Sequence, residues 1–184
     1  MRAYLLGLLD ATWGDSIGAL AQAAELESDG HPVSDARSAA VRAVVLRRGG
    51  RSADALGVLR EGWRTEWFGW AVSSPGGSQV YERYVRAELT IEAGQLEEAL
   101  RWLASFEEHG LFDLVYLAPS HLKRAEVYER MGRTMEAARQ YERFIALWKG
   151  CDPDLRPLVE DAKRKLASLP RHGLATGLDA RANP

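Results

Sequence analysis

The residues of this chain with chemistry to offer are four histidines, one cysteine and a scatter of carboxylates, and their spacing decides what that chemistry can be. None of His31, His109, His121 and His172 stands at a metal-ligand spacing from another His, a Cys or a carboxylate. His31 and His109 sit beside Gly30 and Gly110 in turn-like sequence, where a solvated loop residue is the simpler reading. No G-x-S-x-G elbow, phosphate-cradling glycine loop or dinucleotide fingerprint occurs, and no nucleophile has a plausible base. The expectation is therefore a chain that is not an enzyme and holds neither metal nor cofactor. Its strongest apolar feature is Trp63, Trp67 and Trp70, which share one face if a helix runs to about residue 70. Buried, the indoles pack an insertion onto its neighbours, which is the expected state. Exposed, they would be an interface for a partner or a second copy.

Charge narrows the partners. The chain has 24 basic and 26 acidic residues, interspersed, for a net charge of -2. Arg42, Arg47, Arg48, Arg51 and Arg60 form a local basic cluster, but acidic residues dominate the helices that follow and no DNA-binding motif is present. Neither nucleic acid nor a membrane is an expected partner. No apolar run approaches the roughly 20 residues needed to cross a bilayer. The run Ala3 to Leu9 is broken at Asp10, and no small-residue cleavage site follows. With Cys151 the lone cysteine, a cytoplasmic protein is expected.

The elements that must position any site emerge from comparing the chain with itself. Gly7, Ala43, Ala87 and Ala125 each precede a glycine by seven residues, namely Gly14, Gly50, Gly94 and Gly132. An alanine follows each glycine by five: Ala19, Ala55, Ala99 and Ala137. Two antiparallel helices approach closely only where side chains are small, and the chain between them reverses most tightly at glycine. Leu59, Leu103 and Tyr141, with Ala23 as the small exception, stand four residues after the alanines and would fill the space between neighbouring pairs. Phe106 and Phe144 lie three further on. The spacing predicts helix pairs over 2–13 with 16–28, 34–48 with 52–64, 80–93 with 96–108, and 119–131 with 134–149. Residues 65–79, carrying Ser73 to Ser78, read as an insertion, 153–169 as a closing helix, and 170–184 as a flexible tail. Asp10 stands where Leu46, Thr90 and Tyr128 stand in the other copies, which makes the first pair the least secure.

Small residue, glycine turn, alanine, then an aromatic or leucine at fixed offsets resembles the tetratricopeptide repeat. Arg124 to Phe144 is the best copy, with Tyr128 at an aromatic position and Glu136-Ala137 at an acidic-Ala position. The alanines are 36, 44 and 38 residues apart, so the array is divergent from the family's uniform ~34. The resemblance implies an all-α fold, a right-handed α-solenoid of about four antiparallel helix pairs spanning 1–169. Residues 80 to 169 also resemble the C-terminal repeats of bacterial multidomain signalling proteins, without any kinase motif.

In the tetratricopeptide family the first helix of each pair lines a concave groove. That implies a partner-binding surface of Tyr4 and Leu8; Arg37, Ala40, Val44, Arg47 and Arg48; Tyr81, Tyr84, Glu88 and Glu92; and Leu122, Glu126 and Glu129. The alternative for these residues is structural, with Arg47 or Arg48 paired to Glu92 and Tyr84 partly in the core. The clamp by which some members hold a chaperone's C-terminal carboxylate is missing. Its positions carry Tyr4, Leu8, Val41, Tyr81 and Val85, or Ala40, Val44, Val85, Pro119 and Lys123 in the next register. The expected function is a non-catalytic adaptor that binds a peptide or partner domain in this groove. The alternatives are a regulatory fragment of a larger signalling protein and a homo-oligomeric scaffold, such as a homodimer, built through the tryptophan face.

Overall fold

Four times along the chain, a helix ends on the same backbone turn. In the computed structural model, which describes residues 1–62, 78–108 and 110–170, Gly14, Gly50, Gly94 and Gly132 all have positive φ, between 71° and 95°. The residue after each glycine donates its N–H to the carbonyl five residues back: Asp15 to Asp10, Arg51 to Leu46, Gln95 to Thr90 and Arg133 to Tyr128, at 2.9–3.0 Å. This bond satisfies a carbonyl that the helix end would otherwise orphan, and the left-handed residue it needs is cheap only for glycine. Because it uses the backbone, Asp10 serves the first turn as well as Leu46, Thr90 and Tyr128 serve theirs. Each second helix then opens in the same way, with Ala19, Ala55, Ala99 and Ala137 donating to the carbonyl four residues back at 3.0 Å.

The helices so delimited are α1 (Arg2–Trp13), α2 (Ser16–Ser28), α3 (Pro32–Arg48), α4 (Ser52–Gly62), α5 (Val80–Glu92), α6 (Leu96–Leu103), α7 (Leu114–Arg130), α8 (Thr134–Leu147) and α9 (Arg156–Ser168), with a 3-10 turn at Pro153–Leu155. The fold is all-α, and no strand occurs among the described residues. None of these helices is long and apolar enough to cross a membrane. Local chemistry marks several starts. Asp15 caps α2 by accepting from the Gly18 N–H at 2.9 Å, and His31, ahead of Pro32, accepts from the Val33 N–H at 3.2 Å.

The chain forms two compact units, Met1–Asp113 and Leu114–Pro184. In the first, α1 pairs with α2, α3 with α4 and α5 with α6, while α2 also lies on α3 and α4 on α5. The small residues are at the crossings: Ala19, Ala43, Ala55, Ala87 and Ala99 are fully buried. A Cβ added to Gly7 would come within 3.0 Å of the Val41 side chain, so α1 crosses α3 where anything larger than glycine would press on Val41. In the second unit α7 pairs with α8, and α9 packs on α8 around Ala125, Tyr141, Phe144, Val159 and Ala162. The predicted fillers Ala23, Leu59, Leu103, Tyr141, Phe106 and Phe144 are all buried.

Several helix boundaries differ from the sequence expectation, among them the closing helix, which opens as the 3-10 turn Pro153–Leu155 and becomes α-helical only at Arg156. The helix expected over 96–108 stops at Leu103, because the Arg83 guanidinium donates to the Ser105 carbonyl at 2.8 Å and draws the chain out of helical register. Phe106 then turns inward beneath that guanidinium, 4.8 Å from the ring centroid. The helix expected from Pro119 begins five residues earlier, at Leu114, and carries Pro119 inside it. Leu117 and Ala118 are buried and hold this turn, while Val115, whose carbonyl loses its donor to the proline, is exposed to water. The third helix begins at Pro32 rather than 34. Trp63, Trp67 and Trp70, the body of the insertion, His109, His172 and the tail lie outside the described residues.

Candidate partner-binding surface

The first helices of unit one, α1, α3 and α5, meet along one face through polar side chains rather than through apolar packing alone. Tyr4 on α1 is buried, and its hydroxyl donates to Glu82 Oε1 on α5 at 2.6 Å. The Arg37 guanidinium, from α3, lies 5.8 Å from the centre of the Tyr4 ring. Burial, with Glu82 adding to it, pushes the Tyr4 hydroxyl well above its ordinary value, so it remains a donor at any physiological pH. Burial likewise raises the Glu82 carboxyl, against the opposing pull of the Tyr4 hydrogen bond and of Arg37 and Arg83.

Farther along the same helices, Arg47 bridges two carboxylates of α5. Its guanidinium donates to Glu88 Oε2 and Glu92 Oε1, each at 2.6 Å, and Ser52 holds the second Glu92 oxygen at 2.5 Å. Arg48 is not part of this cluster; it donates to the Thr12 carbonyl at 2.8 Å and so caps the end of α1. Tyr84 is half-buried, its ring edge-on to Phe106 with centroids 6.1 Å apart. The structural alternative thus holds for Arg47 and Tyr84. Val44 needs correcting: it is buried in the core of this unit and offers no surface, because the crossing with its neighbours leaves no gap at that turn of α3.

What this face leaves open is a cleft between the N-terminal turns of α1 and α5. Its volume is about 420 Å³, and Met1, Tyr4, Leu5, Leu8, Val80, Tyr81 and Glu82 line it. The lining is almost wholly apolar, with the Tyr4–Glu82 pair the polar element within reach. No protein-family model matches this chain, and no curated protein or solved structure matches it.

In unit two, Leu122 packs against the core and is half-buried. Glu126 accepts from Lys123 at 3.2 Å and from Lys165 of α9 at 3.1 Å. Glu129 accepts from the buried Tyr141 hydroxyl. All three expected surface residues thus have internal roles, and two of them tie α7 to α8 and α9. His121 bonds the Gln140 side chain at 2.7 Å, and burial lowers its pKa.

Sequence reading missed Glu82 and Arg83. Glu82 lies 78 residues from Tyr4, and no local pattern relates the two. Arg83 donates to Ser78, Ser105 and Asp113, so it organises the end of the third pair from inside the first turns of α5. Tyr81 to Arg86 mixes aromatic, charged and aliphatic residues, and the helix period alone does not say which of them is buried.

Proposed function

We propose that this chain is a non-catalytic protein-interaction module whose helix pairs are of tetratricopeptide type. In this reading the pairs of unit one stack as an α-solenoid, and unit two carries a further pair with its closing helix. The observation that carries it is the apolar cleft of Met1, Tyr4, Leu5, Leu8 and Tyr81 on the first-helix face, continued by the Arg47, Glu88 and Glu92 cluster. Stacked helix pairs generate extended surfaces of this kind, and their usual work is to hold a segment of another protein. An apolar or aromatic anchor of a bound peptide would occupy the cleft, and its flanking charges would meet Arg47 or the carboxylates beside it. No side chain of this face is arranged as a nucleophile with its base, which supports binding rather than catalysis.

The test is selection of binders from a displayed random-peptide library on the full chain. Peptides with a common apolar or aromatic anchor are expected, losing at least about tenfold in affinity to Leu8→Glu, which puts a charge in the apolar wall, and to Tyr81→Ala, which truncates it. Circular dichroism should show the helicity of both variants unchanged. A library that yields no binder, or binders indifferent to both substitutions, would sink this assignment of the surface.

A further inference from the structure

Glu82 is only 6% exposed, yet it borders the cleft between α1 and α5. Its Oε1 is taken by the Tyr4 hydroxyl. Apart from its own backbone N–H, no described group donates to the other carboxylate oxygen, Oε2. Arg37 and Arg83 act on Glu82 through charge alone. Arg37 lies against the Tyr4 ring, and Arg83 directs its N–H groups to Ser78, Ser105 and Asp113. Nor is Oε2 sealed in like the Arg37 Nε, which is buried without a partner. The cleft is thus an apolar cavity bordered by an acceptor that the fold itself leaves unfilled.

Whatever fills this cleft takes Oε2 out of water. An anchor of hydrocarbon alone would leave a carboxylate oxygen without a donor in an apolar site, which is costly. A site with a bare acceptor therefore discriminates strongly against ligands that bring no donor. A cationic donor is the poorer match, because the Arg37 and Arg83 guanidiniums already act on Glu82 and would repel a further positive charge in a poorly solvated space. A neutral donor remains. The rest of the lining is apolar, with Leu5, Leu8 and Val80 beside the Tyr81 ring, so the donor must sit on the edge of an apolar body. Among side chains, indole and phenol are built that way.

We infer that the cleft takes a tryptophan or tyrosine side chain of a partner peptide, whose N–H or O–H donates to Glu82 Oε2, and that Glu82 sets this specificity. The inference rests on the peptide-binding reading above and names the anchor.

Two probes of nearly equal shape test it on the full chain: indole, and benzothiophene, in which sulfur replaces the N–H. NMR titration gives the ratio of their dissociation constants for the wild type and for Glu82→Gln. In the variant the amide oxygen can keep the Tyr4 bond, which turns the amide N–H groups toward the position of Oε2 and puts a donor where the acceptor was. The preference for indole over benzothiophene should therefore fall at least about tenfold, in a comparison where the probes' own hydrophobicities cancel. Circular dichroism melts check that the variant is folded. Benzylammonium, an apolar cation, should bind the wild type more weakly than indole. Peptides selected from the library should carry Trp or Tyr as their anchor rather than Leu or Phe. An unchanged probe ratio, tighter binding of benzylammonium than of indole, or a library dominated by Leu and Phe overturns the donor assignment while leaving the cleft a binding site. Failure of both indole and benzothiophene to bind also overturns it, and the peptide-binding reading falls as well only if the library yields nothing.

Discussion

The hydroxyl of Tyr4, in the first helix, donates to the carboxylate of Glu82, in the fifth, at 2.6 Å, and both residues are buried. This single bond spans the three helix pairs of the first unit. Removing the hydroxyl leaves the Glu82 carboxylate short of a partner inside the protein, so Tyr4→Phe should cost roughly 1–3 kcal/mol. Urea unfolding measures it. Tyr4→Phe on a Glu82→Gln background should cost less, because the group left behind is then neutral.

Glu82 also predicts a pH dependence. Burial raises its pKa in the folded protein above the unfolded value, so the folded state prefers the protonated form. Its contribution to stability is therefore fully present below the unfolded carboxylate pKa and is lost as pH rises through the folded one. Glu82→Gln mimics the protonated group and should melt above the wild type at pH 8. The gap should close as the pH approaches about 4, near the ordinary Glu value. A gap that is constant with pH would mean Glu82 does not titrate across this range.

Three glycines should respond to alanine in three ways. Gly57, inside α4 with open space around it, should gain roughly 0.5–1 kcal/mol from the better helix former. Gly94 has equal space but a φ of 73°, so Gly94→Ala should lose about 1–2 kcal/mol to the left-handed conformation alone. At Gly62 a new methyl would meet the Ala39 Cβ at 2.3 Å, forcing α3 and α4 apart, and about 1–3 kcal/mol or more is expected to be lost. Thermal melts of the three variants check the order.

Arg83 and Asp113 form an ion pair with each side chain only 13% exposed. The pair closes the segment that follows α6. Asp113→Ala leaves the guanidinium with its bonds to the Ser78 and Ser105 carbonyls but without its paired carboxylate, and roughly 3–5 kcal/mol should be lost. Asp113→Asn, which keeps an acceptor, should lose less. Denaturant titration of both variants distinguishes them.

His121 should make the second unit acid-sensitive. Burial, with Arg124 adding to it, lowers its pKa in the folded state despite the bond to Gln140. The folded state thus prefers neutral imidazole, and the contribution is present above the unfolded histidine value, about 6.5, and fades as the pH falls below it. His121→Gln should flatten the decline in melting temperature between about pH 7 and 5. An identical decline in both proteins would place its cause elsewhere.

What could be read directly from the sequence was whatever the backbone decides within a turn or two. Gly14, Gly50, Gly94 and Gly132 identify four helix reversals because a positive φ is nearly free only for glycine. The alanines five residues later identify the crossings because nothing larger fits there. Both constraints act over a handful of residues, so spacing alone reveals them. The start of α7 before Pro119 and the early end of α6 were not legible, since the first depends on burial of Leu117 and Ala118, and the second on an arginine 22 residues away from the carbonyl it binds.

The roles of the surface residues belonged to the tertiary structure. Arg47, Glu88 and Glu92 read equally well in sequence as a binding surface or as an internal ion pair, because a helix period gives the face but not the neighbour. Only the packing of α3 against α5 brings the guanidinium to 2.6 Å from both carboxylates. The Tyr4–Glu82 bond had no sequence signal for the same reason. Conversely, Leu5, Leu9 and Trp13 look like ordinary core residues of an amphipathic helix, yet α1 turns its Ala3, Tyr4, Gly7 and Ala11 face to the core and leaves these three exposed. Periodicity determines which residues want to be buried. The arrangement of the helices decides which of them are.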